Sequence, residues 1–369
     1  MQKKKILVVL GTRPEAIKLA PVIKILKKED NFFNTVVCVT GQHRHMLDQV
    51  MKIFNIKADI DLNIMQENQS LSFLTTRTLI LMTKILSNLK PDLVLVQGDT
   101  TTAMVTALSA FYQRIAVGHV EAGLRTYDIY NPFPEEVNRC IISSIAQYNF
   151  APTKTAYDVL IRQGIHKSRI ILTGNTVVDA LKMLIKKERR VDVTFKDNSK
   201  VILVTAHRRE NWGKPIEQIC NALCEIVKRN RDVEVVYPVH LNPNVKHTVY
   251  RILNKKDRIH LVAPVEYDQL VYLLKISYLV LTDSGGLQEE APVLGKPVLV
   301  LRHETERPEG IKSGVAKLIG TNTANIIKEV ERLLKDKMAY NKMAKAISPY
   351  GDGKAAERIV QHLKIFLKK

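Results

Sequence analysis

Three carboxylates in the first half of the chain stand where acid–base chemistry would need them, next to the ends of apolar runs. Asp99 follows Leu93–Gln97 in Gln97-Gly98-Asp99-Thr100-Thr101-Thr102. Glu121 closes Gly118-His119-Val120-Glu121, and Glu135 opens Pro134-Glu135-Glu136-Val137-Asn138-Arg139. A carboxylate at a strand end can act as a general base when substrate lies over it. Each also has a plainer reading. Asp99 suits a helix N-cap, and Glu135 with Arg139 suits an i,i+4 ion pair. His119, two residues before Glu121 and so on the same side of a strand, suits a satisfied core histidine; a zinc site there lacks further ligands.

A second set of residues suits anions. In Gly11-Thr12-Arg13-Pro14-Glu15-Ala16-Ile17-Lys18, Gly11 permits a tight turn and Pro14 fits a first helical turn. The N–H groups at that helix start, with Arg13 and Lys18, are expected to receive an anion. The segment ends without GK[ST] and lacks GxGxxG, which argues against a P-loop and against a dinucleotide site. In the second half, Thr205-Ala206-His207-Arg208-Arg209-Glu210-Asn211-Trp212-Gly213 combines a histidine, two arginines and the single Trp. Thr282-Asp283-Ser284-Gly285-Gly286-Leu287-Gln288-Glu289-Glu290 is the stronger phosphate signal. Ser284, Gly285 and Gly286 let backbone N–H groups approach a diphosphate closely, and Glu290, one turn in, can accept bonds from two ribose hydroxyls. Further charge, including Arg307, follows in Arg302–Gly310.

The elements that must position these residues alternate along the chain. Runs such as Ile6–Leu10 and Leu93–Val96 are apolar on both faces, as strands of a helix-covered parallel sheet are. Strands are predicted at Ile6–Leu10, Thr35–Thr40, Leu93–Gln97, Ile115–Val120, Tyr148–Ala151 and Ile170–Thr173, with amphipathic helices between them. The charged stretch Lys186–Lys200 interrupts the pattern. It restarts at Val201–Thr205 and continues through strands at Val233–Tyr237, Ile259–Val262, Leu279–Thr282 and Val298–Leu301. Alternation of this kind predicts an α/β fold of two Rossmann-like doubly wound domains facing a cleft. Ligands in such sheets bind beyond the carboxyl ends of the strands. Carboxylates on one wall and a phosphate-type loop on the other fit an enzyme acting on a nucleotide sugar.

Composition narrows the classes. The chain has 369 residues, 46% hydrophobic and 25% charged, so it is globular, with length for two or three domains. The uncharged stretches Thr100–Gln113 and Cys140–Thr153 fall short of the roughly 18 to 20 apolar residues of a membrane span. The N-terminal run is too short for a signal peptide and leads into Gly11-Thr12-Arg13, so a cytoplasmic protein is expected. Cys38, Cys140, Cys220 and Cys224 form no CxxC pair and read as free thiols. The net charge of +19 suits an anionic partner, yet it is spread along the chain without the aromatic-interleaved basic motifs of RNA binders.

Taken together the motifs resemble the non-hydrolysing UDP-N-acetylglucosamine 2-epimerases. The matching segments include GTRPEAIK from Gly11, GQHRHMLDQV from Gly41, QGDTTT from Gln97, GHVEAGLRT from Gly118 and PFPEEVNR from Pro132. They continue with TGNTVVDAL from Thr173, HRRENWG from His207, YPVHLNPNV from Tyr237, TDSGGLQEEAP from Thr282, TERPEG from Thr305 and PYGDG from Pro349. The resemblance implies a glycosyltransferase-B-like fold, with residues 1–172 and 353–369 in an N-terminal domain closed by a returning helix and 173–352 in a UDP-binding domain. It implies reversible conversion of UDP-GlcNAc to UDP-ManNAc through UDP and 2-acetamidoglucal, supplying ManNAc for a cell-surface polysaccharide. It also implies a homodimer with no NAD, metal or other cofactor, and no nucleic-acid or membrane partner. Asp99, Glu121, Glu135, His207 and Arg139 match catalytic positions. Arg13, Lys18, Ser284, Gly285, Gly286, Glu290 and Arg307 match substrate-binding positions. The family's usual aromatic residue near uracil is Leu270 here, so aliphatic packing is expected in place of stacking. Gln42, His43, Gln69 and His240 correspond to the region where regulated members bind a second substrate molecule. The alternatives are a hydrolysing epimerase that releases free ManNAc and UDP, a retaining glycosyltransferase of the same fold and a nucleic-acid-binding protein.

Overall fold

The computed structural model describes residues 2–41, 44–64, 69–187 and 189–368. It divides into two units, Met1–Met183 with Tyr350–Lys369 and Leu184–Pro349.

The first unit is built on seven parallel strands: β1 Lys4–Leu10, β2 Phe33–Val39, β3 Ile60–Asp61, β4 Leu93–Gln97, β5 Ala116–Val120, β6 Tyr148–Ala151 and β7 Ile170–Leu172. Their order is β3-β2-β1-β4-β5-β6-β7, and every pairing is parallel. The second unit has six: β8 Lys200–Thr205, β9 Val233–Pro238, β10 Ile259–Val262, β11 Leu279–Thr282, β12 Val298–Val300 and β13 Ala316–Leu318, in the order β10-β9-β8-β11-β12-β13. Both sheets therefore run outward in two directions from a central pair, β1 with β4 and β8 with β11, which is the doubly wound Rossmann arrangement. Ile6 to Leu10 and Leu93 to Val96 are fully or almost fully buried, as strands covered on both faces must be.

The short edge strands β3 and β13 were not among the predicted ones. Two or three residues carry no readable period, and their pairing comes from the neighbouring strand. The division falls after Met183, beyond the expected boundary at residue 172, because helix Thr176–Leu184 is tied into the first unit. The Asp179 carboxylate accepts from the N–H groups of Ala355 and Ala356, at 3.3 and 2.9 Å, and the Asn175 N–H donates to the Tyr350 carbonyl at 2.8 Å. The last helix, Ala355–Leu367, packs on helix Arg13–Lys28, with Tyr148 and Phe366 stacked at 4.2 Å.

Register is what gathers the site. Gln97 pairs with Val120, so the loops carrying Asp99 and Glu121 leave the sheet side by side, with the Gly11 loop on the other flank of β4. In the second unit Thr205 and Val300 both pair with Thr282, which sets the segments beginning at His207 and Arg302 on either side of Ser284.

Candidate active site

In the first unit, Asp99 follows the central strand β4. Thr100 takes the N-cap role instead of Asp99, its hydroxyl accepting from the Ala103 N–H at 3.0 Å. The Asp99 carboxylate instead receives Arg139 Nη2 at 2.7 Å, and the Asn138 amide donates to the Asp99 carbonyl at 2.9 Å. Burial pushes the Asp99 carboxyl above the usual carboxylate range. Arg139 pulls it down, Glu121 and Glu135 push it up, and Lys18 lowers it.

The expected i,i+4 pair of Glu135 and Arg139 is not formed. Arg139 turns its guanidinium to Asp99, with Nε 3.6 Å from Glu136 and donating to the Glu135 carbonyl at 3.3 Å. Glu136 has a structural post, accepting from Thr126 N–H at 3.0 Å and Tyr127 N–H at 3.1 Å. The buried Oε2 of Glu135 accepts no hydrogen bond from the described residues.

Glu121 lies one residue past β5 with φ +65°, a left-handed backbone that is uncommon for glutamate. Holding it there costs about 1–3 kcal/mol, a burden found mainly where function requires it. The strand spacing that would put Glu121 and His119 on one side therefore ends at Val120. Its carboxylate pairs with Lys18, accepts from Gln97 Nε2, and accepts from Asn175 Nδ2 at 3.2 Å. His119 is the core histidine of the plainer reading. It is fully buried, its Nε2 is 2.7 Å from the Gly98 carbonyl, and burial pushes it down to about 4.

Just before the first helix, the N–H groups of Gly11 and Thr12 are taken by a carboxylate of the chain itself. Glu15 Oε2 accepts from Gly11 N–H at 2.9 Å, Thr12 N–H at 2.6 Å and the Thr12 hydroxyl at 2.8 Å. Its Oε1 accepts from the Thr100 hydroxyl at 2.8 Å. This is a capping box, and the pattern Thr12-x-x-Glu15 announces it in the sequence. Burial nevertheless pushes Glu15 up to about 7 against these four donors.

In the second unit, Asp283 holds His207. The fully buried Asp283 accepts through Oδ2 from His207 N–H at 2.7 Å, Arg208 N–H at 2.8 Å and Asn211 Nδ2 at 3.0 Å. Its Oδ1 lies 3.4 Å from His207 Nδ1. Sequence reasoning passed over Asp283 as a functional residue. The signal was present, since an acidic residue directly after the central strand faces the turn after β8. Burial lowers the His207 imidazole, Asp283 raises it, and His240 and Arg208 lower it. His240 stacks on His207 at 5.3 Å, so of the four residues matched to a regulatory region this one lies against a matched catalytic residue. Gln69 precedes the cap of helix Leu71–Leu89, and Gln42 and His43 lie outside the described residues.

Ser284 caps helix Gly285–Val293 without a side-chain bond to it. A Cβ on Gly285 would reach to 3.7 Å from Glu306 Oε2 and 3.8 Å from Nη2 of both Arg208 and Arg307. The helix start and two guanidinium groups thus border one small space, the setting expected for a diphosphate. Glu290 is buried one turn on, its Oε1 3.4 Å from the same point on Gly286. Arg307 pairs with Glu289, and Arg302 Nε with Glu210 at 2.5 Å. Leu270, on helix Tyr267–Ile276, is half-buried against the second unit's apolar core. A surface groove of about 610 Å³ along helix Thr323–Lys335 includes none of these residues. Among the described residues, no group of three or more His, Cys, Asp or Glu can hold a metal ion, and no helix is long and apolar enough to cross a membrane.

Comparison with known proteins adds independent findings. The family model for UDP-N-acetylglucosamine 2-epimerase matches residues 25–364. A curated Campylobacter jejuni protein described as UDP-N-acetylglucosamine 2-epimerase is 53% identical over 98% of this chain and 97% of its own. The crystal structure of the Neisseria meningitidis UDP-GlcNAc 2-epimerase bound to UDP-GlcNAc is 49% identical, with a TM-score of 0.91 over 99% of this chain and 100% of its own. An S. aureus protein solved with UDP is 47% identical, with a TM-score of 0.92 over 99% of this chain and 97% of its own.

Proposed function

The chain belongs to the UDP-N-acetylglucosamine 2-epimerase family, and we propose from that premise that it is a non-hydrolysing member. It interconverts UDP-GlcNAc and UDP-ManNAc by eliminating UDP and adding it back. The observation that carries this reading is the gathering of Asp99, Glu121 and Glu135 near one another, with Arg139 and Lys18 against two of them.

Inversion at C2 requires a proton to leave one face and another to arrive on the opposite face. One carboxylate cannot serve both faces without moving, so a set of acids with different surroundings suits the task. In the forward direction the C2–H proton passes to a carboxylate. The electron pair forms the C1–C2 double bond, the C1–O bond breaks, and UDP departs with its electrons. Protonation of C2 from the other face and return of the UDP oxygen to C1 complete the change. Asp99, whose carboxyl is raised by burial against the pull of Arg139 and further raised by Glu121 and Glu135, is placed to serve as one of these acid–base groups. Glu121, charge-paired with Lys18 and bonded by two amides, stands beside it as a second such group. The Ser284-Gly285-Gly286 turn with Arg208 and Arg307 stabilises the departing diphosphate, Glu290 takes the ribose, and His207, held by Asp283, serves as an acid–base group. No step calls on a metal, NAD or other cofactor. The enzyme acts in the cytoplasm as a homodimer, and its product supplies ManNAc for a cell-surface polysaccharide.

Incubation with UDP-GlcNAc in D2O without added cofactor tests the reading. NMR should show UDP-ManNAc carrying deuterium at C2, with the UDP linkage kept. Full retention of the original hydrogen would sink proton abstraction. Accumulation of free ManNAc with UDP would place the chain among hydrolysing epimerases.

A further inference from the structure

The turn that carries Asp99 is held through its main chain by two neighbouring elements. Strand β5 holds both polar main-chain groups of Gly98. The Gly98 N–H donates to the Val120 carbonyl at 3.0 Å, and the Gly98 carbonyl accepts from His119 Nε2 at 2.7 Å. Gly98 has φ +72°, and a Cβ there would stand 3.9 Å from Glu121 Oε2, so the turn runs close to the Glu121 carboxylate. The Asp99 carbonyl precedes the N-cap Thr100 and lies outside the bonding ladder of helix Thr101–Tyr112. It accepts instead from the Asn138 amide at 2.9 Å. Asn138 is buried on helix Glu135–Ile145, three residues after Glu135 and one before Arg139. Glu135, Asn138 and Arg139 therefore line one face of that helix. Arg139 Nη2 meets the Asp99 carboxylate at 2.7 Å, so consecutive residues hold Asp99 by its main chain and by its side chain.

We propose that Asn138 is a positioning residue that anchors the main chain of Asp99 to the helix carrying Glu135, and so holds the Asp99 carboxyl in place for proton transfer. This rests on the reading above that Asp99 exchanges protons with the sugar. Arg139 alone does not secure that position, because its charge-assisted bond weakens whenever the Asp99 carboxyl takes up a proton. The Asn138 bond joins two neutral groups and reaches the main chain, so it does not depend on which form the carboxyl is in. Proton transfer is sensitive to where donor and acceptor stand, and a misplacement of about 1 Å imposed from a distance can cost about 10²-fold in rate. An anchor that stays made through the whole proton cycle keeps Asp99 at its post while its charge changes.

The test is a double-mutant cycle on Asn138→Ala and Asp99→Asn. Turnover of UDP-GlcNAc, UDP affinity by calorimetry and thermal unfolding are recorded for each protein. Asn138→Ala should lower kcat about 10- to 100-fold, with UDP affinity within about twofold of wild type. In Asp99→Asn the Asn138 bond can still form but positions no carboxyl, so adding Asn138→Ala should lower kcat by no more than about threefold further. A merely structural role would make the two losses multiply. Multiplied losses, or a folded Asn138→Ala with kcat near that of wild type, overturn the proposal and leave the site reading standing. Near-normal turnover in Asp99→Asn would instead overturn the reading of Asp99, and the proposal with it. Should Asn138→Ala fail to fold, Asn138→Ser, whose hydroxyl is too short for the direct bond, should show the same loss of kcat. A folded Asn138→Ser with full kcat likewise overturns the proposal. If neither variant folds, Asn138 serves folding alone and the proposal falls.

Discussion

Asp99 and Asp283 occupy matching places in the two units. Each follows the strand beside the first one in a doubly wound sheet, β4 in the first unit and β11 in the second. Their surroundings differ. Asp99 keeps 30% of its side chain exposed, meets one guanidinium and lies in the field of two other carboxylates. Asp283 is sealed from solvent and receives two backbone N–H groups and an amide. The fold thus fixes where an acidic residue emerges, and the neighbours decide what it meets there. The same contrast runs through the two sites. The first places side chains from several strands against one another. The second relies on backbone donors, arginines and a helix start, the means suited to gripping a phosphate.

The sharpest way to break this comparison is to neutralise the first site. Asp99→Asn, Glu121→Gln and Glu135→Gln should each lower epimerase turnover about 10²–10⁴-fold, the usual worth of a general acid or base. UDP affinity by calorimetry should change far less. Near-normal turnover in all three would reduce these residues to ion pairs.

A second measurement concerns Glu15, whose carboxyl is raised from 4.5 to about 7 in the folded protein. Between those values the folded state holds a proton that the unfolded chain has lost, so stability falls as pH rises through the window. Glu15→Gln cannot titrate. Its melting temperature should decline less from pH 5 to pH 7 than that of wild type. An equal slope in the two proteins would show that Glu15 is ionised throughout.

Replacing Asp283 tests the other half of the comparison. Asp283→Asn retains one acceptor oxygen but removes the charge that raises His207 and binds three donors. Unfolding should show a loss of about 1–3 kcal/mol. A stable Asp283→Asn with full activity would remove the distinction between the two aspartates.

The smallest expected effect is at Leu270. Leu270→Phe should tighten UDP by about 0.5–1.5 kcal/mol if the ring stacks on the base. Overpacking against the core can offset the gain, so thermal stability must be followed alongside. Equal or weaker binding with an intact fold would make Leu270 an ordinary core residue.

Much of the fold was readable because strands buried on both faces leave continuous apolar runs. Leu93–Gln97, Tyr148–Ala151, Ile259–Val262 and Leu279–Thr282 fall where the runs predict. Local chemistry was readable as well, including the Gly-rich helix start at Ser284 and, in the Thr12-x-x-Glu15 pattern, a capping box that competes with the anion expected there. Partnerships were not. Glu135 and Arg139 have ideal spacing for a pair, yet Arg139 reaches Asp99, forty residues earlier in the chain.

The sequence by itself determined the alternation of elements, the family and which residue types stand at the strand ends. Each of these depends on short stretches of chain, through side-chain period, turn geometry and helix capping. The tertiary structure alone decided that Lys18 neutralises Glu121, that Arg139 serves Asp99, that Asp283 grips the turn at His207 and that Glu306 lies among three arginines. Most of these contacts join segments brought together by the lateral order of parallel strands, in which neighbours are separated by whole crossover helices. That order, and the side-chain directions it imposes, is set by packing of the entire sheet rather than by any local run of residues.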